Sequence, residues 1–535
     1  MHHNLLLILS LLFAVFLLVM LAQKIKIAYP IFLVLAGLAI SFIPGIPIIK
    51  LEPDLVFLIF LPPLLYEAAW YTSWKDFWKW KRPISLLAFG LVFFTSTLVA
   101  YFSSGIIPGF TLALGFLLGG IISPPDAVAA TAVLKGLEVP KRVLTILEGE
   151  SLVNDASSLI VFRFALAAIL TGTFSFHEAA AQFFLVASMG VVVGLAGAHI
   201  MYVIHRFLPT TPAIDAALTV MTPYILFLTA EQFHFSGVMA VVSGGLFISY
   251  RSHEVFTTGT TRINMLGVWV TMIFIMNAVV FILIGLELPE IINGLGEYSI
   301  AQGIKYGLLV SGIIILLRFL WVFPATHIPR WLNAEIRKES NPGWKGPLVV
   351  SWAGMRGVVS LATALSIPML MNDGTAFPHR NLIIFITFIT IFVTLVVQGL
   401  TLPLIIKLIK LKEIDNIIPE DEQQTGINLR LSNVALRRLC DKYALEIQEN
   451  ELVSILKTNL EHEVATSQKR LASLECDTTQ IEEREDYRKI LLDIYATQRI
   501  ELFQLRKEKF FSDEEIRKAE IQLDLNEMKV SGAAH

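Results

Sequence analysis

The sequence predicts an all-α polytopic membrane protein of about 13 transmembrane helices, followed by a cytoplasmic helical domain, and three observations predict it. Of the 535 residues, 55% are hydrophobic and only 16% charged, a balance that excludes an ordinary soluble enzyme. Thirteen apolar stretches follow one another, most of them near the roughly 20 residues that cross a bilayer. After Lys412 the composition turns polar, with 17 Lys and Arg against 26 Asp and Glu, a net charge of −9.

The apolar stretches run at roughly 4–22, 28–48, 54–70, 84–104, 111–134, 143–170, 180–204, 214–232, 236–250, 264–286, 303–324, 346–370 and 382–406. The first lacks a small-residue cleavage site and a second follows closely, which predicts a retained helix. With the N-terminus outside, 19 Lys and Arg fall in inner loops, against Lys50, Lys305 and Arg380 on the outer side. This asymmetry predicts an odd number of spans in the cell membrane and a cytoplasmic tail.

Residues 1–412 therefore read as the transmembrane domain and 413–535 as a helical regulatory or dimerisation tail. In the tail, Leu429, Leu436, Leu439 and Tyr443, then Ile490, Leu491, Ile494 and Tyr495, recur at helical spacing. The only cysteines, Cys440 and Cys476, suggest neither a disulfide framework nor a metal cluster. No cofactor and no nucleic-acid partner are expected.

Two spans are interrupted. The fifth carries Ser123-Pro124-Pro125-Asp126, where two prolines remove backbone donors and break the helix. The twelfth carries Gly354-Met355-Arg356-Gly357. Each is the fifth span of its half, and an odd seventh span reverses the second half, so the pair predicts inverted repeats with an ion site at the midplane.

The sixth span carries Glu150-Ser151-Leu152-Val153-Asn154-Asp155, two carboxylates and an amide inside an apolar run, where such groups are costly and usually functional. On a helix Ser151, Asn154, Asp155 and Ser158 form one polar stripe. A hard monovalent cation takes oxygen ligands, which carboxylate, hydroxyl, amide and freed backbone carbonyls supply. A carboxylate withdrawn from water holds its proton more firmly, so proton and cation can compete for one group. A cation channel would use the same oxygens, but no repeated filter loop is visible and paired broken helices suit alternating access better. An intramembrane serine hydrolase, suggested by Phe235-Ser236-Gly237, lacks a convincing base.

Four blocks carry a resemblance: Phe60-Leu61-Pro62-Pro63-Leu64-Leu65-Tyr66-Glu67, Ser123 to Ala129, Gly149 to Ala156 and Gly354 to Leu361. In order and position they resemble the signature blocks of sodium/proton exchangers of the monovalent cation:proton antiporter family, over about the first 410 residues. The Asn154-Asp155 pair is similar to that of the NhaP/NHE-type electroneutral branch. The resemblance implies exchange of Na⁺ or Li⁺ for H⁺, with K⁺/H⁺ exchange as the alternative, by a homodimer in the lipid bilayer. It also implies that Asp155 binds cation and proton, Ser151 supplies an oxygen and Asn154 braces the site. Asp126 and the unwound backbone near Pro125 would border the cation, making Asp155, Ser151 and Pro125 the metal-ion ligands, and Glu67 would approach from the third span. Many relatives carry threonine where this chain has Pro125, so that hydroxyl is missing here. Glu150 and Arg356 are implied to form a structural ion pair, while Arg163 and Arg318 read as structural charges that neutralise buried carboxylates or face the cytoplasmic funnel.

Overall fold

Once a Leu-, Ile-, Val- and Phe-rich run leaves water, its backbone groups find partners only within their own helix, and every apolar stretch of this chain contains helix. The computed structural model describes residues 2–43, 53–135, 137, 139–172, 176–256, 258–295, 298–411, 413, 420–473, 479–507 and 513–531. The chain forms two compact units, Met1–Asp415 and Asn416–His535.

The first unit begins with α1 (His2–Lys24), α2 (Tyr29–Ser41), α3 (Pro53–Tyr71) and α4 (Lys81–Ile106). The fifth stretch is split into α5 (Leu112–Ile122) and α6 (Ala127–Leu134). Then come α7 (Lys141–Thr171), α8 (Phe176–Phe207), α9 (Pro212–Gln232), α10 (Gly237–Tyr250), α11 (Gly259–Leu286) and α12 (Ile300–Leu332). The twelfth stretch is likewise split, into α13 (Lys345–Trp352) and α14 (Val358–Leu365), before α15 (Arg380–Ile409). Among the described residues, eight helical segments are long and apolar enough to cross a membrane, one of them counted through the α5–α6 break.

Chain chemistry accounts for both interruptions. Pro124 and Pro125 have no N–H to donate, and Asp126 then caps α6 by accepting the Val128 amide at 2.8 Å. The second break, Ala353 to Gly357, lies against the first: the Asp126 amide donates to the Met355 carbonyl at 2.7 Å. Two further irregularities are π-helical turns, Leu86–Leu91 within α4 and Thr394–Gln398 within α15. The first meets α7, where Ser157 donates to the Ala88 carbonyl at 2.5 Å, and the second meets the second break, where the Arg356 amide donates to Thr394 Oγ1 at 3.0 Å.

Two clusters of buried side chains flank α7. Leu147 and Phe162 join the cluster that includes Leu117, Ile121 and Ile386, whereas Leu152 and Ala156 join the one around Tyr66, Leu226, Val241 and Trp269. Outward faces remain apolar and exposed, as with Phe13 and Leu17 on α1, Phe184 on α8 and Leu316 on α12, which suits lipid.

The second unit contains α16 (Glu420–Lys442), α17 (Glu451–Ser473), α18 (Thr479–Lys507) and α19 (Asp513–Ser531). Ser432 donates to Glu463 at 3.1 Å, joining α16 to α17, and Leu439 is buried there. Arg499 ties α18 to Asp524 and Glu527 of α19. Ile490 and Ile494 of the expected apolar spacing are exposed. Cys440 is a free, exposed thiol, and Cys476 lies outside the described residues.

Small residues set how closely the membrane helices approach. A Cβ on Gly119 of α5 would lie 2.7 Å from the Ser96 backbone of α4, whereas Gly267 on α11 faces open space. Gly119→Leu should therefore destabilise the purified protein by roughly 3 kcal/mol or more, and Gly267→Leu by less than about 0.5 kcal/mol, as read from thermal unfolding in detergent.

Candidate functional site

A cavity of about 270 Å³ runs between α3, the two breaks and α7. It begins at exposed Tyr71 and Glu148, near the ends of α3 and α7 that carry the basic loops, and reaches Asp155, which is only 7% exposed. Four carboxylates line it, from Glu67, Asp126, Glu148 and Asp155, and no Lys, Arg or His is among its lining residues. Their potentials add, so the cavity attracts cations and repels anions.

The α7 helix presents the acidic residues because Glu148, Ser151 and Asp155 recur at i, i+3 and i+7. No protein donor reaches the Asp155 carboxylate among the described residues. Ser151 Oγ accepts the Ala127 amide at 3.1 Å, and so holds the start of α6 while the residue lines the cavity. Asn154 does not line the cavity; its Nδ2 donates to the Pro125 carbonyl at 3.0 Å, clamping the break from behind. Its Oδ1 is buried without a partner among the described residues, as is Ser360 Oγ, which lines the cavity from α14.

Pro125 and Asp126 both line the cavity, and Glu67 enters from α3. The second break closes over Asp126, since a Cβ on Gly357 would sit 1.8 Å from Asp126 Oδ2. Only glycine admits that approach. The structure thus gathers Asp155, Ser151, Asp126, Pro125 and Glu67 around one space and places Asn154 behind it.

Three placements were not foreseen. Ser158, expected in the polar stripe, donates to the Asp155 backbone carbonyl at 3.0 Å and is not among the cavity's lining residues. Glu148 does line it, and the signal was its three-residue spacing from Ser151. Asn277 also lines it, an amide in the apolar second half of α11.

The implied Glu150–Arg356 pair is corrected. Glu150 pairs with Arg318 of α12, Nη1 to Oε1 at 2.6 Å and Nη2 to Oε2 at 2.7 Å, with both residues fully buried. This fork-to-fork geometry engages both carboxylate oxygens. Arg318 Nε donates to the Val350 carbonyl at 3.1 Å, and the absent side chain of Gly354 leaves room for its stem. Arg356 is buried at the second break, with Nε and Nη1 unpartnered among the described residues. Arg163 pairs instead with Glu231 at 2.7 Å. Ser236 caps α10 by accepting the Met239 amide at 3.2 Å, a structural use of the hydroxyl that had suggested a hydrolase.

Removing one partner of a buried pair strands the other charge. Glu150→Gln and Arg318→Met should each destabilise by about 3–5 kcal/mol, with the double variant markedly less than additive. A parallel cycle of Glu150→Gln with Arg356→Met should give the smaller coupling, measured by thermal unfolding of the four proteins in each cycle.

Comparison with known proteins identifies the family and the fold. The family model described as "Sodium/hydrogen exchanger, transmembrane" matches residues 8–408. The sodium, potassium, lithium and rubidium/H(+) antiporter of Bacillus pumilus is 34% identical over 387 residues, 71% of this chain and 58% of that protein, so this chain spans less than two thirds of that relative. The low-affinity Na(+)/H(+) antiporter NhaS1 of Synechocystis sp. is 31% identical over 417 residues, covering 77% of this chain and 75% of its own. The solved structure of the sodium proton antiporter MjNhaP1 from Methanocaldococcus jannaschii has the same fold, with a TM-score of 0.57 at 22% identity, over 75% of this chain and 98% of that one. The chain is therefore a multi-pass membrane protein that belongs to the sodium/hydrogen exchanger family.

Proposed function

We propose that this protein is a secondary transporter, not an enzyme, that exchanges Na⁺ or Li⁺ for H⁺ by alternating access, one for one, in pH and sodium homeostasis. The observation that carries the reading is Asp155: a buried carboxylate without a protein donor among the described residues, at the end of a cavity walled by acids and two unwound helices. Asp155 binds either the proton or the cation. With the cation bound, Ser151 Oγ and the backbone at Pro125 add neutral oxygens, while Asp126 and Glu67 draw cations along the cavity. Asn154 does not titrate, so the loaded site carries the same charge with either ion and the membrane potential does no net work.

Alternating access is supported by the cavity reaching Asp155 from the end bearing the basic loops, whereas Gly120 is packed tightly against Phe162 on the other side. That basic end is assigned to the cytoplasm, with the N-terminus outside and residues 413–535 as a cytoplasmic regulatory or dimerisation domain of a homodimer. K⁺ is the second reading for the cargo. It is favoured by Pro125, which offers no side-chain hydroxyl, and by the Bacillus pumilus relative, whose name includes potassium.

In proteoliposomes, a pH step should drive Na⁺ uptake that Asp155→Asn abolishes while the variant remains folded. An inside-negative potential of 100 mV, worth about 2.3 kcal/mol per charge, should leave the final Na⁺ ratio unchanged. Retained exchange in Asp155→Asn would remove the assignment, and a shift with potential would remove the one-for-one stoichiometry.

A further inference from the structure

A second cavity, of about 690 Å³, lies within the membrane unit at its basic end, between the start of α4, the start of α7, the end of α12 and α13. Five basic residues line it, Lys79, Lys81, Arg82, Arg142 and Arg330, against the two acids Glu339 and Glu413. Both acids are engaged: Glu339 pairs with Arg82 at 3.3 Å and Glu413 accepts the Lys141 amide at 3.1 Å. Lys79, Lys81 and Arg142 lie against aromatic faces, which position charge, and Arg142 and Arg330 each donate to the Ser340 carbonyl, at 3.2 and 3.0 Å. Lys81 Nζ lies 4.2 Å from the Trp78 ring centroid, Lys79 Nζ 4.9 Å from that of Trp80, and the Arg142 guanidinium 4.1 Å from that of Trp80. Neither lysine forms an ion pair among the described residues.

Farther in, the walls turn apolar, with Leu87, Val143, Ile146, Val322 and Val350. Trp78 is 56% exposed, and indole rings are enriched at bilayer interfaces. A cationic, Trp-rimmed mouth leading to an aliphatic interior fits one kind of molecule in a membrane. We propose that this cavity binds an anionic glycerophospholipid, its phosphate held by Lys81, Lys79 and Arg142 and an acyl chain lying along Val143, Val322 and Val350. A free phosphate would leave the apolar interior empty, and a zwitterionic lipid would bring its own cation against the basic mouth. The site is separate from the cation cavity, whose walls are acidic. It also bears on the second break, because Val350 lines it and accepts Arg318 Nε through its carbonyl.

Native mass spectrometry of the full chain, titrated in neutral detergent with phosphatidylglycerol, phosphatidylcholine or inorganic phosphate, tests this. Phosphatidylglycerol should be retained at about tenfold lower concentration than phosphatidylcholine, and Lys81→Gln combined with Arg142→Gln should erase that preference. Ala325→Phe, which fills the cavity without touching its charges, should erase it too, whereas Lys407→Gln, a basic residue outside the cavity, should keep it. All variants are first matched to the parent by thermal unfolding, and Ala325→Phe decides alone if the double variant does not fold. Equal retention of the two lipids would overturn the proposal, as would a preference that survives Ala325→Phe. Displacement of phosphatidylglycerol by inorganic phosphate would mark a soluble-anion site and overturn the lipid assignment.

Discussion

Everything in the membrane unit depends on one junction, where two helices are unwound at the same place and satisfy each other's backbone. An unpaired amide or carbonyl costs several kcal/mol in hydrocarbon, so neither break is tolerable alone. The Asp126 amide meets the Met355 carbonyl, Asn154 takes the Pro125 carbonyl, Ser151 takes the Ala127 amide, and Thr394 takes the Arg356 amide. Three of these partners are side chains from α7 and from the π-turn of α15. The same residues that repair the broken backbone thus position the carboxylates, and a change in one alters the other.

Charge is divided by the same arrangement. On α7, Glu150 and Asp155 are five residues apart and face opposite ways: Glu150 meets a guanidinium with matched geometry, whereas Asp155 meets a cavity. A bidentate, fully buried pair has no spare valence for a transported ion, so Glu150 fixes α7 to α12 and stays out of the chemistry. Asp155 has no such partner among the described residues, which suits a partner that comes and goes. Arg356, buried at the second break, is not among the residues that line the cavity.

Much of this was legible in the sequence because the relevant physics is local. Prolines cannot donate, so the first break was readable from Pro124 and Pro125; acids in apolar runs are rare, so Asp155 stood out, whereas Asp126 and Glu67 were named by the family resemblance. What was not legible depends on which faces of distant helices meet. The partner of Glu150 lies 168 residues away, and the choice between Arg318 and Arg356 is decided by the rotation of α12 and by the space above Gly354. The hydroxyl of Ser158 looked like a ligand by spacing, yet the nearer backbone carbonyl of Asp155 takes it. The π-turns at Leu86–Leu91 and Thr394–Gln398 have no such local signal, and each is met by a distant part of the chain, Ser157 at Ala88 and the Arg356 amide at Thr394.

The central claim is that one carboxylate carries either ion, and it predicts a stoichiometry at equilibrium, without any flux. Adding Na⁺ to the detergent-purified protein in weakly buffered solution, over the pH range where the site is protonated, should release about one proton per cation bound. The apparent dissociation constant should fall about tenfold per pH unit on that acid side, since one unit of pH is worth about 1.4 kcal/mol at a single titrating group. Cation binding that releases no proton, or whose affinity is flat with pH, would contradict the account.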